Sequence, residues 1–266
     1  MEHSPTDPNP DWAEEKKRIE TLAWWKALGG KHGIDAGGVA WHFQPVELVT
    51  GFRTVDNEND LKWLKVPRGQ LTFDVEGNDI DDPTRSLYKY FSRIAHWPGG
   101  VSGVTIGRGY DLGQRPDPEN NLTTAGIKDS LRSWLIGAKG LKGNNAKTYL
   151  NNANQQIKQA TITRKQQYEL FLPVYDFMKG EVIRISDTPA NVEKYGRLHW
   201  DTIDGRIQDI AIDLIYRGDY TSHTREHVQK HIVENNLDKL KEILSDESKW
   251  TNVPEDRFNR RIEYLK

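Results

Sequence analysis

The sequence predicts an α+β protein in which helices dominate. Two observations carry the prediction. From Leu122 to the C-terminus, segment after segment repeats apolar residues at helical spacing. The stretch with strand character, residues 97–113, is short and holds six of the 22 glycines. Val101, Val104 and Ile106 are β-formers set between those glycines, which reads as a short strand or hairpin. There is no internal repeat, so a small β element sits inside a mostly helical protein.

In order, residues 1–10 read as a Pro-rich linker of a longer polypeptide. Residues 11–28 read as a helix with Asp11 as N-cap, Trp12, Ile19, Leu22 and Ala23 on one face, and Gly29-Gly30 as its end. Residues 37–46 are an aromatic-rich loop or short strand. His42 lies there without a second ligand at metal spacing, so a hydrogen-bonded structural role is expected. A boundary is expected in the polar stretch 50–70, giving an N-terminal helical extension, 11–69, packed on a domain of 70–266.

Residues 71–77 alternate apolar and polar before the acidic cluster Asp74-Val75-Glu76. Residues 83–96 read as a helix with Asp82 as N-cap, Pro83 at its first position, and Leu87, Tyr90, Phe91 and Ile94 as its buried face. Arg115-Pro116-Asp117-Pro118 is a turn-rich link. Helices are then expected over 123–135, 146–159, 163–185, 202–216, 224–233, 237–244 and 254–265. Pro173 predicts a kink in the third, and the isoleucine-rich fourth is apolar enough to be the central buried helix.

Composition removes several functions. The 37 basic and 39 acidic side chains give a net charge of −2, against bulk electrostatic binding of nucleic acid. The absence of cysteine removes disulfides, thiolate metal sites and cysteine nucleophiles. No run approaches the ~18 apolar residues of a membrane span, and the N-terminus lacks the apolar core of a signal peptide. Nine Trp and ten Tyr are core fillers first, although flat sugar faces also stack on such rings.

Among chemistries, no Gly-Lys-Ser/Thr follows the glycines, no Gly-x-Ser-x-Gly elbow occurs, and no His-Glu-x-x-His helix occurs. His223, His227 and His231 share a helix face, for which solvent exposure is the simpler reading. What remains is a pair of carboxylates, Glu76 and Asp111, with the hydroxyl of Thr105 in the glycine-rich run. Two carboxylates and a positioned hydroxyl suffice for glycoside hydrolysis: one acid protonates the leaving oxygen, and the other helps water attack or attacks itself. A partly buried Glu76 would have the raised pKa that a general acid needs.

The run Thr105-Ile106-Gly107-Arg108-Gly109-Tyr110-Asp111 resembles the Thr-Ile-Gly-x-Gly block of bacteriophage-type lysozymes, which are muramidases. With its flanks from Gly99 to Gly113 it is closer to the lysozyme-like domains of pesticin and of type VI secretion antibacterial effectors, where the acting Asp follows the Thr. Trp41-His42-Phe43-Gln44-Pro45 also looks like a block preceding the lysozyme unit of some such effectors. The resemblance implies a lysozyme-like fold over 70–266, with a small β-hairpin lobe and a helical lobe whose C-terminal helix carries Arg257, Arg260 and Arg261. It implies Glu76 as general acid, Asp111 as second carboxylate and Thr105 as the water-positioning hydroxyl. Arg108, Tyr110 and Ser102 become candidate substrate-binding residues, Arg108 through a salt bridge or substrate-edge contact and Tyr110 as a ring packed under the site. The stretch between Glu76 and Thr105 is longer than in phage lysozymes, and Asp74, Asp79, Asp81 and Asp82 crowd it.

The implied activity is cleavage of the β-1,4 bond between N-acetylmuramic acid and N-acetylglucosamine, with no cofactor or metal. The implied partners are peptidoglycan glycan strands, a cognate immunity protein and secretion-machine components. The implied route is cytoplasmic synthesis without a signal peptide and action in a target cell's periplasm. The alternatives are a lytic transglycosylase, using the same Glu without a productive second carboxylate, and a non-catalytic wall-binding module.

Overall fold

The computed structural model describes residues 57–266 and, ahead of them, residues 13, 14, 16–18, 20 and 30. Those of the early group up to residue 20 are helical and exposed. The rest of the expected helix 11–28, the linker 1–10 and the aromatic run 37–46 with His42 lie outside the described residues. Asn57–Lys266 forms one compact unit, so residues 57–69 belong to the same body as the rest of the expected domain. Trp63, on a 3₁₀ turn at Leu61–Leu64, packs edge-on against Tyr168 at 5.4 Å.

About 59 % of the described residues are helical, and the sheet found among them has two short strands. This is the predominantly helical α+β class. The helix α1, Gln70–Val75, leads to an irregular stretch that includes a 3₁₀ turn, Ser86–Tyr90. The hairpin β1, Thr105–Ile106, and β2, Tyr110–Asp111, follows, antiparallel, with Thr105 opposite Asp111 and Ile106 opposite Tyr110. Then come α2, Pro118–Thr124, α3, Asp129–Gly137, α4, Gly143–Asn151, and α5, Gln155–Lys158. The long α6, Arg164–Ser186, leads to α7, Pro189–Tyr195, and α8, Gly205–Arg217. The chain closes with α9, Ser222–Val233, α10, Leu237–Leu244, and α11, Glu255–Tyr264.

Helix α6 is the spine of the unit. Thr163 and Gln166 start it with a reciprocal capping box. Its helical period turns Leu170 and Val174 toward one core, with the hairpin and α2–α5. Phe171, Tyr175 and Val182 face a second core, with α1 and α8–α11. The helix runs on through Pro173.

Helix α8 is the buried centre of the second core, as expected. Asp204 accepts from the Arg206 N–H at its start, and Gly218, in the left-handed conformation, ends it. Ile207, Ile210, Ala211, Ile212 and Leu214 are buried, each large aliphatic one stabilising by roughly 1.5–3 kcal/mol. Asp209 and Asp213 are buried on the same helix. Asp209 accepts from the Tyr175 and Tyr264 hydroxyls and from the Gly69 N–H. Asp213 pairs with Arg257 at 2.6 Å and Arg261 at 2.7 Å.

Three expectations are corrected. Residues 83–96 are not a helix: Leu87 and Tyr90 are exposed, while Phe91, Ile94 and His96 make single strand-like bridges to Asn78, Thr161 and Thr105. The helical spacing was coincidental, because paired backbone from β1 and from Thr161 satisfies this segment's polar groups in extended form. The expected helix 123–135 is two, broken at Gly126, which adopts a positive φ between α2 and α3. The expected helix 146–159 is also two, because the Asn154 side chain caps a new start at α5.

Arg261 is 1 % exposed and bridges Asp213 and Asp219. Replacing it with methionine leaves Asp213 with Arg257 as its remaining ion-pair partner. The expected loss is about 3–5 kcal/mol of unfolding free energy, measured by urea titration.

Candidate functional site

Glu76 caps the C-terminal end of α1, its N–H donating to the Thr72 carbonyl at 3.1 Å. The alternation in 71–77 therefore resolves as a short helix: Leu71, Thr72 and Phe73 are buried, and Glu76 emerges at the open end. Its Oε1 accepts from Arg257 Nη1 at 2.6 Å. The same guanidinium holds Asp213 through Nε and Nη2, and the Thr72 hydroxyl donates to Asp213 from α1. One buried acid on α8 thus fixes the arginine that fixes Glu76.

Glu76 Oε2 lies toward the hairpin turn. A Cβ placed on Gly109 would stand 3.3 Å from Oε2 and 2.7 Å from the Tyr216 ring. Gly109 has φ +76°, so a side chain is disfavoured there on both counts. The Glu76 side chain is 19 % exposed. Burial raises its pKa above the ordinary carboxyl value, against the lowering by Arg257, and the buried charge of Asp213 adds to the rise. Asp213 itself is held below its ordinary range: burial would raise it, but Arg261 and Arg257 outweigh that.

Thr105 and Asp111 face each other across the hairpin, so their side chains share one face of it. Thr105 Oγ1 is 3.3 Å from the Gly103 carbonyl, to which it donates. Asp111 is 8 % exposed. Its Oδ1 accepts from the Gly103 N–H at 3.0 Å and the Gly113 N–H at 2.8 Å, and its Oδ2 accepts from Gln114 Nε2 at 2.9 Å. Gly103 must lack a side chain for this: a Cβ there would sit 2.3 Å from Asp111 Oδ1. The carboxylate staples the two ends of the glycine-rich run together.

Two of the candidate substrate-binding residues are buried. Tyr110 is wholly enclosed in the core of the hairpin lobe, its hydroxyl accepting from Asn121 Nδ2 at 3.0 Å. Opposite Ile106, it occupies the face away from Thr105 and Asp111. Arg108 is buried beneath the site. It donates to the carbonyls of Phe73 and Gly77, its guanidinium lies 4.6 Å from the Phe73 ring centre, and burial lowers its pKa to about 10. It ties the hairpin turn to the end of α1, and so sets where Glu76 stands. Ser102 is half-buried, and its carbonyl accepts from Trp97 Nε1 and the Gly143 N–H.

Sequence reasoning did not find Tyr216 and Asp213. The Tyr216 hydroxyl donates to the Arg108 carbonyl at 2.6 Å and closes the turn from the α8 side. Their signal is a polar or acidic residue on an otherwise apolar helix, which becomes meaningful once its partners are known. The crowding acids resolve by partner: Asp79 pairs with Arg93 and Arg164, and Asp81 with Arg93. Among the described residues no group of three or more His, Asp or Glu could hold a metal ion. His223 and His227 contact each other edge-on at 5.2 Å.

The chain matches, over residues 69–262, the family model described as "Domain of unknown function (DUF8812)". The match takes in the whole site from Gly69 to Arg261, and the chain belongs to that family. None of the curated proteins matches it.

The raised pKa of Glu76 has a consequence for stability. A carboxyl whose folded pKa lies above its unfolded value of about 4.3 releases its proton more readily when unfolded. Folding stability therefore falls as pH rises through that interval. Glu76→Gln removes this dependence. The variant is expected to be at least as stable as wild type at pH 7, with the difference shrinking toward pH 4, as read by thermal unfolding across pH.

Proposed function

We propose that the chain is a peptidoglycan hydrolase of the muramidase type, with a lysozyme-like arrangement of hairpin lobe and helical lobe. The observation that carries this reading is the position of Glu76: a shielded carboxyl of raised pKa at an open helix end, facing a glycine-rich turn beside the paired Thr105 and Asp111.

On this reading Glu76 is protonated before the reaction. It gives its proton to the glycosidic oxygen between N-acetylmuramic acid and N-acetylglucosamine as the C1–O bond breaks. Arg257 then stabilises the carboxylate left behind. Water adds at C1 and passes its proton to the Glu76 carboxylate, which restores the acid and completes hydrolysis, and Thr105 Oγ1 orients that water. The negative charge of Asp111 stabilises the developing positive charge on the sugar ring. In biological terms the chain is an antibacterial effector domain, carried into a competitor's periplasm and restrained in its producer by a cognate immunity protein.

A specific observation favours a second reading. Asp111 already accepts three hydrogen bonds, two from backbone. Both of its oxygens are already occupied by donors of its own chain, and a single acid, Glu76, suits a lytic transglycosylase. There the sugar's own 6-hydroxyl closes on C1 to give an anhydro-muramyl end.

Glu76→Gln is expected to reduce clearing of purified cell walls by at least about 100-fold, the lower range for a lost general acid. Mass spectrometry of the wild-type products separates the readings, because hydrolysis products carry one more water than anhydro products. Wild-type clearing by Glu76→Gln refutes both. Wall binding without turnover, in wild type and variant alike, identifies a binding module.

A further inference from the structure

Arg115 lies just past the hairpin, between β2 and α2, in the stretch whose sequence reads only as a turn. The fold buries it and, among the described residues, gives it no counter-ion within ion-pair distance. The residue is 6 % exposed, and its Nε and Nη1 are enclosed without a hydrogen-bond partner, while Nη2 is not among the enclosed atoms. The acids of its own segment are engaged elsewhere. Asp111 serves Gly103, Gly113 and Gln114, Asp117 caps α2 through the Asn120 N–H, and Glu119 pairs with Lys139.

The described contact of the guanidinium is the ring of Phe177 on α6, with the ring centre 5.0 Å from Cζ. Phe177 is itself 41 % exposed, an open aromatic face beside a covered cation. The Arg115 charge reaches Tyr110 and Tyr216, where it opposes the burial that raises both phenols, and Tyr216 also feels Glu76. Arg115 and Glu76 thus act on the same phenol. Taking a guanidinium out of water without a partner is costly, so native proteins pair such groups. Arg108, in the hairpin turn, is better partnered: its Nη1 donates to two backbone carbonyls and its guanidinium lies over a ring, although its Nε is also enclosed without a partner.

We propose that Arg115 and Phe177 form a subsite for a carboxylate-bearing group of the ligand. The guanidinium takes the carboxylate at Nη2, the nitrogen that is not enclosed, and the phenyl face takes the adjoining apolar atoms. The inference rests on the peptidoglycan reading, which makes the carboxylate that of the acidic side arm on N-acetylmuramic acid and its stem peptide. The subsite selects acidic, peptide-bearing glycan over a neutral N-acetylglucosamine polymer.

The test uses the full chain carrying Glu76→Gln, titrated calorimetrically with a disaccharide-tetrapeptide of peptidoglycan, its fully amidated form, and chitotetraose. The acidic fragment is expected to bind about 10-fold or more tightly than the amidated one, the worth of a hydrogen bond to a charged group. Adding Arg115→Met is expected to erase that preference, leave chitotetraose binding unchanged, and raise Tm by about 2–4 °C, because a buried unpaired charge is gone. Adding Arg115→Lys keeps the charge but not the donor at the position of Nη2, and is expected to retain only part of the preference. Equal binding of acidic and amidated fragments by the parent, an unchanged preference in Arg115→Met, or a lowered Tm overturns the proposal. The readout is binding, so it is independent of turnover: wild-type wall clearing by Glu76→Gln defeats the hydrolase reading, whereas loss of charge preference defeats the subsite.

Discussion

The ion cluster around Asp213 is the constraint on which the rest of this structure depends. A carboxylate at the centre of an apolar helix is expensive unless every lone pair is used. Here two arginines from α11 and a threonine from α1 use them. The cluster therefore fixes how α1, α8 and α11 pack against one another. Arg257 has one more donor to spend, and it spends it on Glu76. The position of Glu76 thus derives from the same buried acid through Arg257, while its raised pKa comes chiefly from its own burial, to which the like charge of Asp213 adds.

The hairpin works by a different principle. Its strands are two residues each, too short to hold a geometry alone. Its shape comes from Asp111 receiving the N–H groups of Gly103 and Gly113, from Arg108 reaching back to α1, and from Tyr216 closing on the turn. The polar residues of the glycine-rich run divide between holding the backbone and facing the site. Asp111 does the first with certainty of geometry, and this is why a one-carboxylate chemistry competes with a two-carboxylate one.

Much of this was legible in the sequence where the cause is local. The helical class, the buried α8, the hairpin and the candidacy of Glu76 all follow from spacing and turn chemistry within a dozen residues. The misreadings share one origin. Residues 83–96 carry a helical apolar pattern, yet their backbone partners lie on β1 and at Thr161. Arg108 and Tyr110 are chemically conspicuous in the sequence, and the depth of their burial is invisible until the two cores assemble. The pairing of Glu76 with Arg257 spans 181 positions, and no window of sequence contains it.

Arg108 in the hairpin turn and Arg115 just past the hairpin sharpen the point. Both are buried, both stack on a phenylalanine, and both sit within a few residues of the site. Arg108 is consumed by carbonyls of the element it anchors, so its charge is spent on architecture. Arg115 has no such outlet: the acids nearest to it in sequence cap helices, staple glycines or pair with lysine. Arg108 leaves one enclosed nitrogen without a partner and Arg115 leaves two, in a chain with 39 Asp and Glu, so neither is bare for want of carboxylates. What distinguishes Arg115 is the exposed ring of Phe177 beside it, an apolar surface on which a carboxylate-bearing group can pack as it meets the guanidinium.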